Sequence, residues 1–241
     1  MKKYIEKVYL REYPGADSYL YRLPVVKNLW KIGGLDFTSS VIIFVGENGT
    51  GKSTLLEAMA IALGFNPEGG SRNFHFATKD THSDLNEYLR ISRSNYFQDG
   101  FFLRSESLYN ISSYIDDRDP EIIYSYGGKS LHHQSHGESV LTLVQNRFGG
   151  NGLYILDEPE AALSPSRQLT LMVEMNHLVK NNSQFIMATH SPILICYPGA
   201  QLVELTEDGI NTLEYQETEH FKLTKQFLNN PEQMLRYLLQ D

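Results

Sequence analysis

Residues 41–54 read VIIFVGENGTGKST, a continuous apolar run that passes directly into a glycine-rich loop. Residues 46–53 fit the pattern G-x-x-x-x-G-K-[ST], in which backbone N–H groups surround phosphate oxygens. The pattern has this meaning only between a strand and a helix. Both are indicated, because residues 41–45 are apolar throughout and residues 52–63 carry apolar side chains at helical spacing before Gly64. The stretch therefore predicts a bound nucleoside triphosphate.

The side chains of this loop suit a triphosphate that is bound together with Mg²⁺. Gly46, Gly49 and Gly51 let the backbone turn tightly and approach phosphate oxygens without a Cβ in the way. Lys52 adds a mobile positive charge that can reach the β- and γ-phosphates. The Ser53 hydroxyl is a hard oxygen ligand of the kind that Mg²⁺ prefers.

The composition of the 241 residues fits a soluble globular protein, with 41% hydrophobic and 21% charged residues. The net charge of −8 does not indicate a nucleic-acid partner, although it is compatible with a local basic patch. The single cysteine, Cys196, excludes an intrachain disulfide and suits a reducing cytosol. No apolar run approaches the roughly 20 residues of a membrane helix, and the charged N-terminus lacks a secretion signal. We therefore expect a cytoplasmic protein without direct membrane insertion.

Strand patterns alternate with helical patterns along most of the chain. Besides the elements around the loop, we predict two short strands within residues 4–23, strands at 153–156, 185–188 and 202–205, and helices at 138–148, 165–180 and from 231 onward. Ser164 and Asn230 are the expected N-caps of the last two helices. The alternation predicts an α/β fold with a mostly parallel central sheet flanked by helices. Residues 66–136 are rich in Gly, Ser, Asn and aromatic residues, and we expect them to form a small lobe inserted into a single domain of residues 1–241.

Two further strand ends carry polar residues that suit phosphate chemistry. Residues 153–158 read LYILDE, and strand alternation turns the two carboxylates in different directions. Asp157 can hold Mg²⁺ from the side opposite Ser53, whereas Glu158 can orient the attacking water or accept its proton. Residues 188–192 read ATHSP after another apolar strand, and His190 there can donate a hydrogen bond to a γ-phosphate oxygen.

A fourth segment, residues 135–139, reads SHGES at the start of a predicted helix. A hydroxyl residue and a glycine at a helix N-terminus can bind an anion. Its position one helix before the LYILDE strand favours an anion site over an ordinary helix cap. The other histidines show no metal-ligand spacing, and we expect them to be solvated or satisfied in the core: His75, His82, His132, His133, His136, His177 and His220.

The order GENGTGKST, SHGES, LYILDEPEAALSP and ATHSP resembles the ATP-binding-cassette (ABC) ATPases. In that class the four segments are the Walker A, signature, Walker B with D-loop, and switch-histidine motifs. The chain is more narrowly similar to small stand-alone ATPases that are grouped with AAA-type and SMC-like ATPases. The resemblance covers nearly the whole chain, and the four motifs together are specific although each alone is not.

The resemblance implies an ABC-like P-loop NTPase that converts ATP and water to ADP and phosphate. Glu158 would be the catalytic base, and His190 would sense the γ-phosphate beside the catalytic Lys52. Mg²⁺ would be held by Ser53 and Asp157. The residues that would hold the phosphates are Gly46, Glu47, Asn48, Gly49, Thr50, Gly51, Lys52, Ser53 and Thr54.

The resemblance also implies a head-to-tail homodimer that forms with ATP. In it, Ser135, Gly137 and Glu138 of one subunit would cap the γ-phosphate that is bound to the other subunit. His136 departs from the family pattern, because a glycine usually follows the signature serine, and it can alter the geometry of the signature.

Two further family features are not evident in the sequence. The glutamine that usually couples Mg²⁺ to the inserted lobe has two candidates, Gln98 and Glu106, and Glu106 is slightly preferred because it follows the apolar segment at 101–103. The aromatic residue that stacks on adenine is expected upstream of the glycine-rich loop. The sequence does not rank its candidates, which are Tyr13, Tyr19 and Trp30.

The leading functional interpretation is an ATPase whose ATP-driven dimerisation operates a switch or motor. The alternative is the ATP-binding subunit of an ABC transporter, which needs a separate membrane-protein partner. A small-molecule kinase would have no use for the SHGES and ATHSP segments, and an intact Glu158 argues against a non-hydrolysing switch.

Overall fold

The computed structural model of the protein describes residues 2–72, 83–104 and 136–239. Within these ranges the strands are β1 (Ile5–Leu10), β2 (Leu35–Asp36), β3 (Val41–Val45), β4 (Leu89–Arg93), β5 (Asp99–Arg104), β6 (Gly152–Asp157), β7 (Gln184–Ala188), β8 (Gln201–Leu205) and β9 (Ile210–Leu213). The helices are α1 (Pro24–Lys31), α2 (Lys52–Ala62), α3 (Leu85–Tyr88), α4 (His136–Arg147), α5 (Pro165–Lys180), α6 (Glu219–Asn229) and α7 (Pro231–Leu238). In the described part of the chain, no helix is long and apolar enough to span a membrane.

The centre of the molecule is a six-stranded sheet with the strand order β5-β6-β7-β3-β8-β9. Neighbouring strands are parallel in every pair except β8 with β9. β3, β6 and β7 are buried along their whole lengths, as expected for strands that are covered on both faces. The predicted α/β fold with a mostly parallel central sheet is therefore confirmed.

Strand alternation divides the core into two layers, one on each face of the central sheet. On one face, Ile42 and Phe44 of β3 pack with α1, α2 and a small antiparallel sheet of order β2-β1-β4. On the other face, Val41, Ile43 and Val45 pack with α4 and α5. The central strands are thus fixed from both sides, and so are the polar groups that follow them.

Gln184 of β7 joins the two sheets through its buried side chain. Its Oε1 accepts hydrogen bonds from the N–H groups of Tyr4 and Ile5 at 2.8 and 2.9 Å, and its Nε2 donates to the Ile5 carbonyl at 3.0 Å. A buried backbone group without a partner is costly. These three bonds therefore fix the start of β1 against the central sheet.

Most of the predicted elements are present, and Asn230 does cap the last helix by accepting from the Gln233 N–H at 3.3 Å. The expectation of two strands within residues 4–23 was wrong, because only β1 is a strand and Ser18 caps a 3₁₀ turn at Tyr19–Arg22. The helix predicted at 138–148 begins two residues earlier, at His136. The elements α1, α3, α6, β2, β4 and β9 were not predicted.

The range predicted to form an inserted lobe, about 66–136, contains strands of both sheets. β4 pairs with β1, and β5 is the edge strand of the central sheet beside β6. Residues 89–104 therefore contribute to the two sheets. Because residues 73–82 and 105–135 lie outside the described ranges, a single domain of residues 1–241 with a smaller lobe stays a prediction.

Gln184→Met should lower the free energy of unfolding by about 3 kcal/mol or more, because three buried backbone groups lose their partner at about 1–3 kcal/mol each. Urea denaturation followed by circular dichroism measures the change. The matched control is Gln145→Met, since Gln145 is exposed on α4 and its Nε2 donates to Glu174 Oε1 at 2.9 Å in a solvent-exposed hydrogen bond. It should cost less than about 0.5 kcal/mol. Equal losses in the two variants would contradict the role given to Gln184.

Candidate nucleotide-binding and catalytic site

The glycine-rich loop connects β3 to α2 and is packed closely against its neighbours. Gly46 and Gly51 have φ angles of 129° and 98°, in the region that favours glycine. A Cβ on Gly46 would overlap with the Leu205 carbonyl at the end of β8, and one on Gly51 would overlap with the Val25 side chain of α1. The loop shape therefore requires glycine at both positions.

The other loop residues are placed as a phosphate-binding loop needs them. Glu47, Asn48 and Gly49 form an exposed tip, whereas Thr50 is buried and its Oγ1 donates to the Glu47 carbonyl at 2.9 Å. Thr54 is half-buried in the first turn of α2. The backbone N–H groups at this helix N-terminus are the ones that suit an anion.

Lys52 lies inside the curve of the loop and is only 5% exposed. Its Nζ donates to the carbonyls of Gly46 and Glu47 at 2.7 and 2.8 Å. Burial lowers the pKa of the Lys52 ammonium, while the nearby carboxylates of Glu158 and Asp157 oppose that shift. Since an ionised acceptor binds an ammonium more strongly than a carbonyl does, a phosphate is a better partner for Lys52 than its present ones.

Ser53 and Asp157 bring two hard oxygens together from different parts of the chain. Ser53 Oγ donates to Asp157 Oδ1 at 3.0 Å, and Asp157 is the last, almost fully buried residue of β6. This donor set suits Mg²⁺. Within the described ranges, no cluster of three or more His, Cys, Asp or Glu residues could hold a metal by itself. An ion here would therefore need phosphate oxygens and water as further ligands, as Mg²⁺ commonly does.

Glu158 has a strained backbone with φ 49° and ψ 52°. For a residue other than glycine this conformation costs about 1–3 kcal/mol and persists only where neighbours hold it. The Glu158 N–H donates to the Ala188 carbonyl at the end of β7, at 3.0 Å. The side chain is 44% exposed, and its Oε1 lies 3.7 Å from His190 Nε2. The strained turn thus directs this carboxylate toward His190.

His190 follows β7 and is held at both its backbone and its ring. Its N–H donates to Glu160 Oε1 at 2.6 Å, and its Nδ1 lies 3.2 Å from Nε2 of His220 on α6. Its Nε2 is buried and has no hydrogen-bond partner among the described residues. A buried nitrogen without a partner is a position where a ligand oxygen would be favourable.

Burial shifts the pKa values of His190 and Glu160, the two residues that this backbone hydrogen bond joins. It lowers the pKa of His190, and the positive charge of Lys52 and the ring of His220 lower it further against the opposing effect of Glu158. The imidazole is therefore neutral at neutral pH. Burial also raises the pKa of Glu160, although the His190 N–H counteracts part of this rise.

The register of three neighbouring strands brings these side chains to one edge of the sheet. Phe44 of β3 is level with Ala188 of β7, and Ala188 is level with Asp157 of β6. Because the strands are parallel, the residues that follow them leave at the same edge. The side chains that meet there are Lys52, Ser53, Asp157, Glu158 and His190.

The signature residues have contacts within their own chain. Gly137 is buried in the first turn of α4, where a Cβ would overlap with the Ala162 carbonyl. Glu138 is exposed, and its Oε1 accepts from Arg167 Nη2 at 3.0 Å. Ser135 and the side chain of His136 lie outside the described part of the molecule. Capping of a second subunit's γ-phosphate by this segment stays a prediction.

Gln98 is at the wrong end of the sheet to couple to a Mg²⁺ site. Its N–H donates to the Asn151 carbonyl just before β6, whereas Arg104 at the other end of β5 is level with Asp157. Six extended residues, or about 20 Å, separate these two levels. The candidate Gln98 is therefore wrong, and the candidate Glu106 lies outside the described residues.

Two of the three candidates for adenine stacking belong to one aromatic group. The Tyr13 ring contacts the rings of Trp30 and Tyr21 at centroid distances of 5.8 and 5.2 Å. Trp30 is on α1, and the Val25 N–H in the first turn of that helix donates to the Thr50 carbonyl at 3.2 Å. The group therefore lies on the α1 side of the loop, while Tyr19 is exposed on the preceding 3₁₀ turn. Tyr21 was not among the candidates, and the stacking residue stays a prediction.

Gln168 and His220 contact the segment that follows β7, although the sequence analysis did not assign either of them to the site. Gln168 Oε1 accepts from Ser191 Oγ at 2.5 Å, and its Nε2 donates to the Leu163 carbonyl at 3.0 Å. His220 was expected to be a surface or satisfied core residue, and it contacts His190 instead. No local pattern marks them, because their partners lie 23 and 30 residues away in sequence.

Two family models match the chain. Residues 30–143 match an AAA domain, and residues 139–195 match a model described as "AAA domain, putative AbiEii toxin, Type IV TA system". A Haemophilus influenzae protein described as an uncharacterized ABC transporter ATP-binding protein is 24% identical over 191 residues, which cover 70% of this chain and 71% of that protein.

The fold is similar to those of solved ABC ATPases. An ATP-binding cassette of an ABC transporter aligns with a TM-score of 0.50 and 14% identity, covering 98% of this chain and 99% of the other. CbiO1 from Clostridium perfringens, part of the ABC transporter complex CbiONQ, aligns with a TM-score of 0.50 and 18% identity over 95% and 97% of the two chains. Together with the AAA-domain matches and the ABC relative, this shared fold supports an ABC-like ATPase, the class that the four motifs resemble.

Proposed function

We propose that this chain hydrolyses ATP to ADP and phosphate, and that binding of ATP between two copies drives a dimerisation switch or motor. One observation carries the proposal: a single sheet edge holds five side chains whose chemistries complement one another. They are Lys52, Ser53, Asp157, Glu158 and His190. Their positions suit charge stabilisation, metal binding, proton acceptance and hydrogen-bond donation to one triphosphate.

In this proposal Lys52 and the N–H groups of the loop bind the phosphates and stabilise the charge that develops on them. Glu158 is half-exposed, so its carboxylate can reach a water molecule and orient it or accept its proton. The neutral His190 ring would donate a hydrogen bond to a γ-phosphate oxygen from Nε2, which has no hydrogen-bond partner among the described residues. The strained backbone of Glu158 keeps its carboxylate near His190 and away from the oxygen that Ser53 contacts.

Mg²⁺ fits the pair formed by Ser53 and Asp157, since both offer hard oxygens and one of them is charged. When bound, the ion would neutralise charge on the phosphates. The Ser53 hydroxyl would then give up its hydrogen bond to Asp157 and bind the ion, so that both side chains hold the ion. Lys52 would remain free to follow the phosphates.

The dimer is proposed because the site is open on one side. Glu158 is half-exposed, and the loop tip formed by Glu47, Asn48 and Gly49 is exposed. A second subunit would close this opening with its SHGES segment and shield the bound nucleotide from solvent. We place this switch in the cytoplasm, in keeping with the reducing environment that a lone cysteine suits.

The alternative function is the ATP-binding subunit of an ABC transporter. It is favoured by one finding, the description of the Haemophilus influenzae relative as an ABC transporter ATP-binding protein. The catalytic site would be the same in both functions, so they differ in the partner. A transporter subunit would be recovered with a membrane protein, and a stand-alone switch would not.

Replacement of Lys52 and of Glu158 should separate binding from chemistry. Lys52→Ala should lower turnover by about 10²–10³-fold and weaken ATP binding, because a phosphate contact is lost. Glu158→Gln should lower turnover by about 10²–10³-fold while ATP binding is retained, because the proton acceptor alone is lost. Phosphate release and titration with a fluorescent ATP analogue measure the two effects. The exposed Lys27→Ala and Glu232→Gln serve as matched controls, and hydrolysis by Glu158→Gln at the wild-type rate would show that Glu158 is not the base.

Glu158→Gln should also accumulate an ATP-bound dimer, because the nucleotide that joins the subunits is no longer hydrolysed. Size-exclusion chromatography with light scattering, with and without Mg²⁺-ATP, measures the mass. The double variant Lys52→Ala/Glu158→Gln is the control and should stay at the mass seen without ATP. An unchanged mass of Glu158→Gln under saturating ATP would refute the dimer, and recovery of a membrane protein with it would favour the transporter alternative.

Hydrolysis should stop in excess EDTA and return when Mg²⁺ is added. Asp157→Asn should raise the Mg²⁺ concentration for half-maximal rate by about 10-fold or more, because a charged ligand becomes neutral. The control Asp84→Asn changes an exposed carboxylate before α3 and should leave the Mg²⁺ dependence unchanged. The same Mg²⁺ dependence for Asp157→Asn and wild type would remove Asp157 from the metal site.

A further inference from the structure

The N-terminus of α6 reaches the proposed catalytic site through one side chain, that of His220. Its Nε2 lies 3.2 Å from Nδ1 of His190, and the two rings meet edge to face with centroids 5.1 Å apart. The other ring nitrogen of His190, Nε2, lies 3.7 Å from Glu158 Oε1. One nitrogen of His190 is thus engaged by α6, and the other is directed toward the proposed base.

This contact decides what His190 can do, because a neutral imidazole carries only one N–H. If His220 donates its Nε2–H to Nδ1 of His190, the proton of His190 is on Nε2 and can be donated to a phosphate oxygen. The opposite arrangement would leave a lone pair on Nε2, which would repel both a phosphate oxygen and the Glu158 carboxylate. The lowered pKa of His190 favours the neutral ring for which this choice matters.

His220 is fixed in place by the structure that begins α6. Thr218 is the N-cap, and its Oγ1 accepts from the Phe221 N–H at 3.4 Å and donates to the Tyr215 carbonyl at 2.7 Å. The rings of Tyr215 and Phe221 meet at 5.1 Å and pack against the core layer of α4 and α5. The two hydrogen bonds of the Thr218 cap and the ring pair therefore hold the turn that carries His220.

The backbone of His190 is fixed separately. Its N–H donates to Glu160 Oε1 at 2.6 Å, and Glu160 belongs to the turn that follows Glu158. With the backbone held in this way, rotation of the ring and placement of its proton are the freedoms that remain. His220 is positioned to restrict both of them.

We propose that His220 is a positioning residue that holds His190 as the Nε2–H tautomer, with this N–H directed at the γ-phosphate site. The inference rests on the proposed function, in which His190 acts on the γ-phosphate. It assigns His220 a role through His190 and not through substrate. It also makes α6 part of the catalytic unit, although that helix is otherwise mostly exposed.

The tautomer is tested in the 241-residue chain without nucleotide, by long-range ¹H–¹⁵N NMR of the histidine rings. The spectrum of His190→Ala identifies the signals of His190. We expect the Nε2–H pattern for His190 in the wild type and a mixture of tautomers in His220→Ala. His177→Ala removes an exposed histidine of α5 and should leave the His190 signals unchanged. An Nδ1–H pattern in the wild type would overturn the proposal, and this measurement requires no variant of His220 to fold.

Turnover is tested by phosphate release from Mg²⁺-ATP. His220→Ala should lower kcat by about 10- to 100-fold, as loss of a group that orients a functional histidine does at metal sites, with little change in KM. His220→Gln should recover most of the activity, because its side-chain amide can donate to the same nitrogen. In the His190→Ala background, His220→Ala should have no further effect, since it acts through a ring that is no longer present.

The outcomes separate this inference from the proposed function. If the wild type releases no phosphate, the proposed function fails, while the NMR measurement still decides the tautomer. If the wild type and His177→Ala are active, wild-type kcat in His220→Ala would overturn the positioning role. A further loss of kcat when His220→Ala is added to His190→Ala would also overturn it, because the effect would then not pass through His190.

Discussion

The parallel pairing of β3, β7 and β6 is the constraint on which the rest of the site depends. Register matters here because successive side chains of a strand point to opposite faces, and a slip of one residue reverses all of them. Asp157 and Glu158 are consecutive residues. A slip of one residue would therefore move the Asp157 carboxylate away from Ser53 Oγ. The strands resist this slip because both of their faces are buried, in separate core layers. The apolar residues of the strands, which contact no nucleotide, therefore determine which carboxylate can bind metal.

Hydrogen bonds join the segments that follow β6 and β7 into one structural unit. The strained Glu158 is held by its bond to Ala188, Glu160 holds the backbone of His190, and Gln168 bridges Ser191 to the turn after β6. Each of these bonds crosses from one segment to the other or ties both to α5. A strain of about 1–3 kcal/mol at Glu158 is of the size that two or three such bonds offset. A displacement of either segment, for example when a phosphate enters, would consequently be transmitted to the other. The contact of His220 with His190 connects α6 to these two segments.

The parts of the fold and site that could be predicted from sequence are those that local pattern encodes. An apolar run that is followed by glycines or carboxylates indicates a strand with a polar site at its end. This pattern predicted β3, β6, β7 and the residues that follow them. The error at Gln98 had a different origin: the residue was placed near the right strand, but its level along that strand depends on the register with β6. His220 and Gln168 could not be found, because nothing within a few residues of either one indicates a partner 30 or 23 positions away.

The contacts at the start of α4 change the physical argument for a dimer. A glycine in a signature-like segment is readily attributed to close approach of a phosphate, yet the Ala162 carbonyl is a sufficient reason for Gly137 within one chain. Glu138 is exposed in its pair with Arg167, and exposed ion pairs contribute only about 0–1 kcal/mol. That pair can therefore be exchanged at little cost when a second subunit approaches. The proposed capping of a neighbour's γ-phosphate thus depends on the N–H groups and dipole at the N-terminus of α4, which the packing of Gly137 on the turn after β6 holds in place.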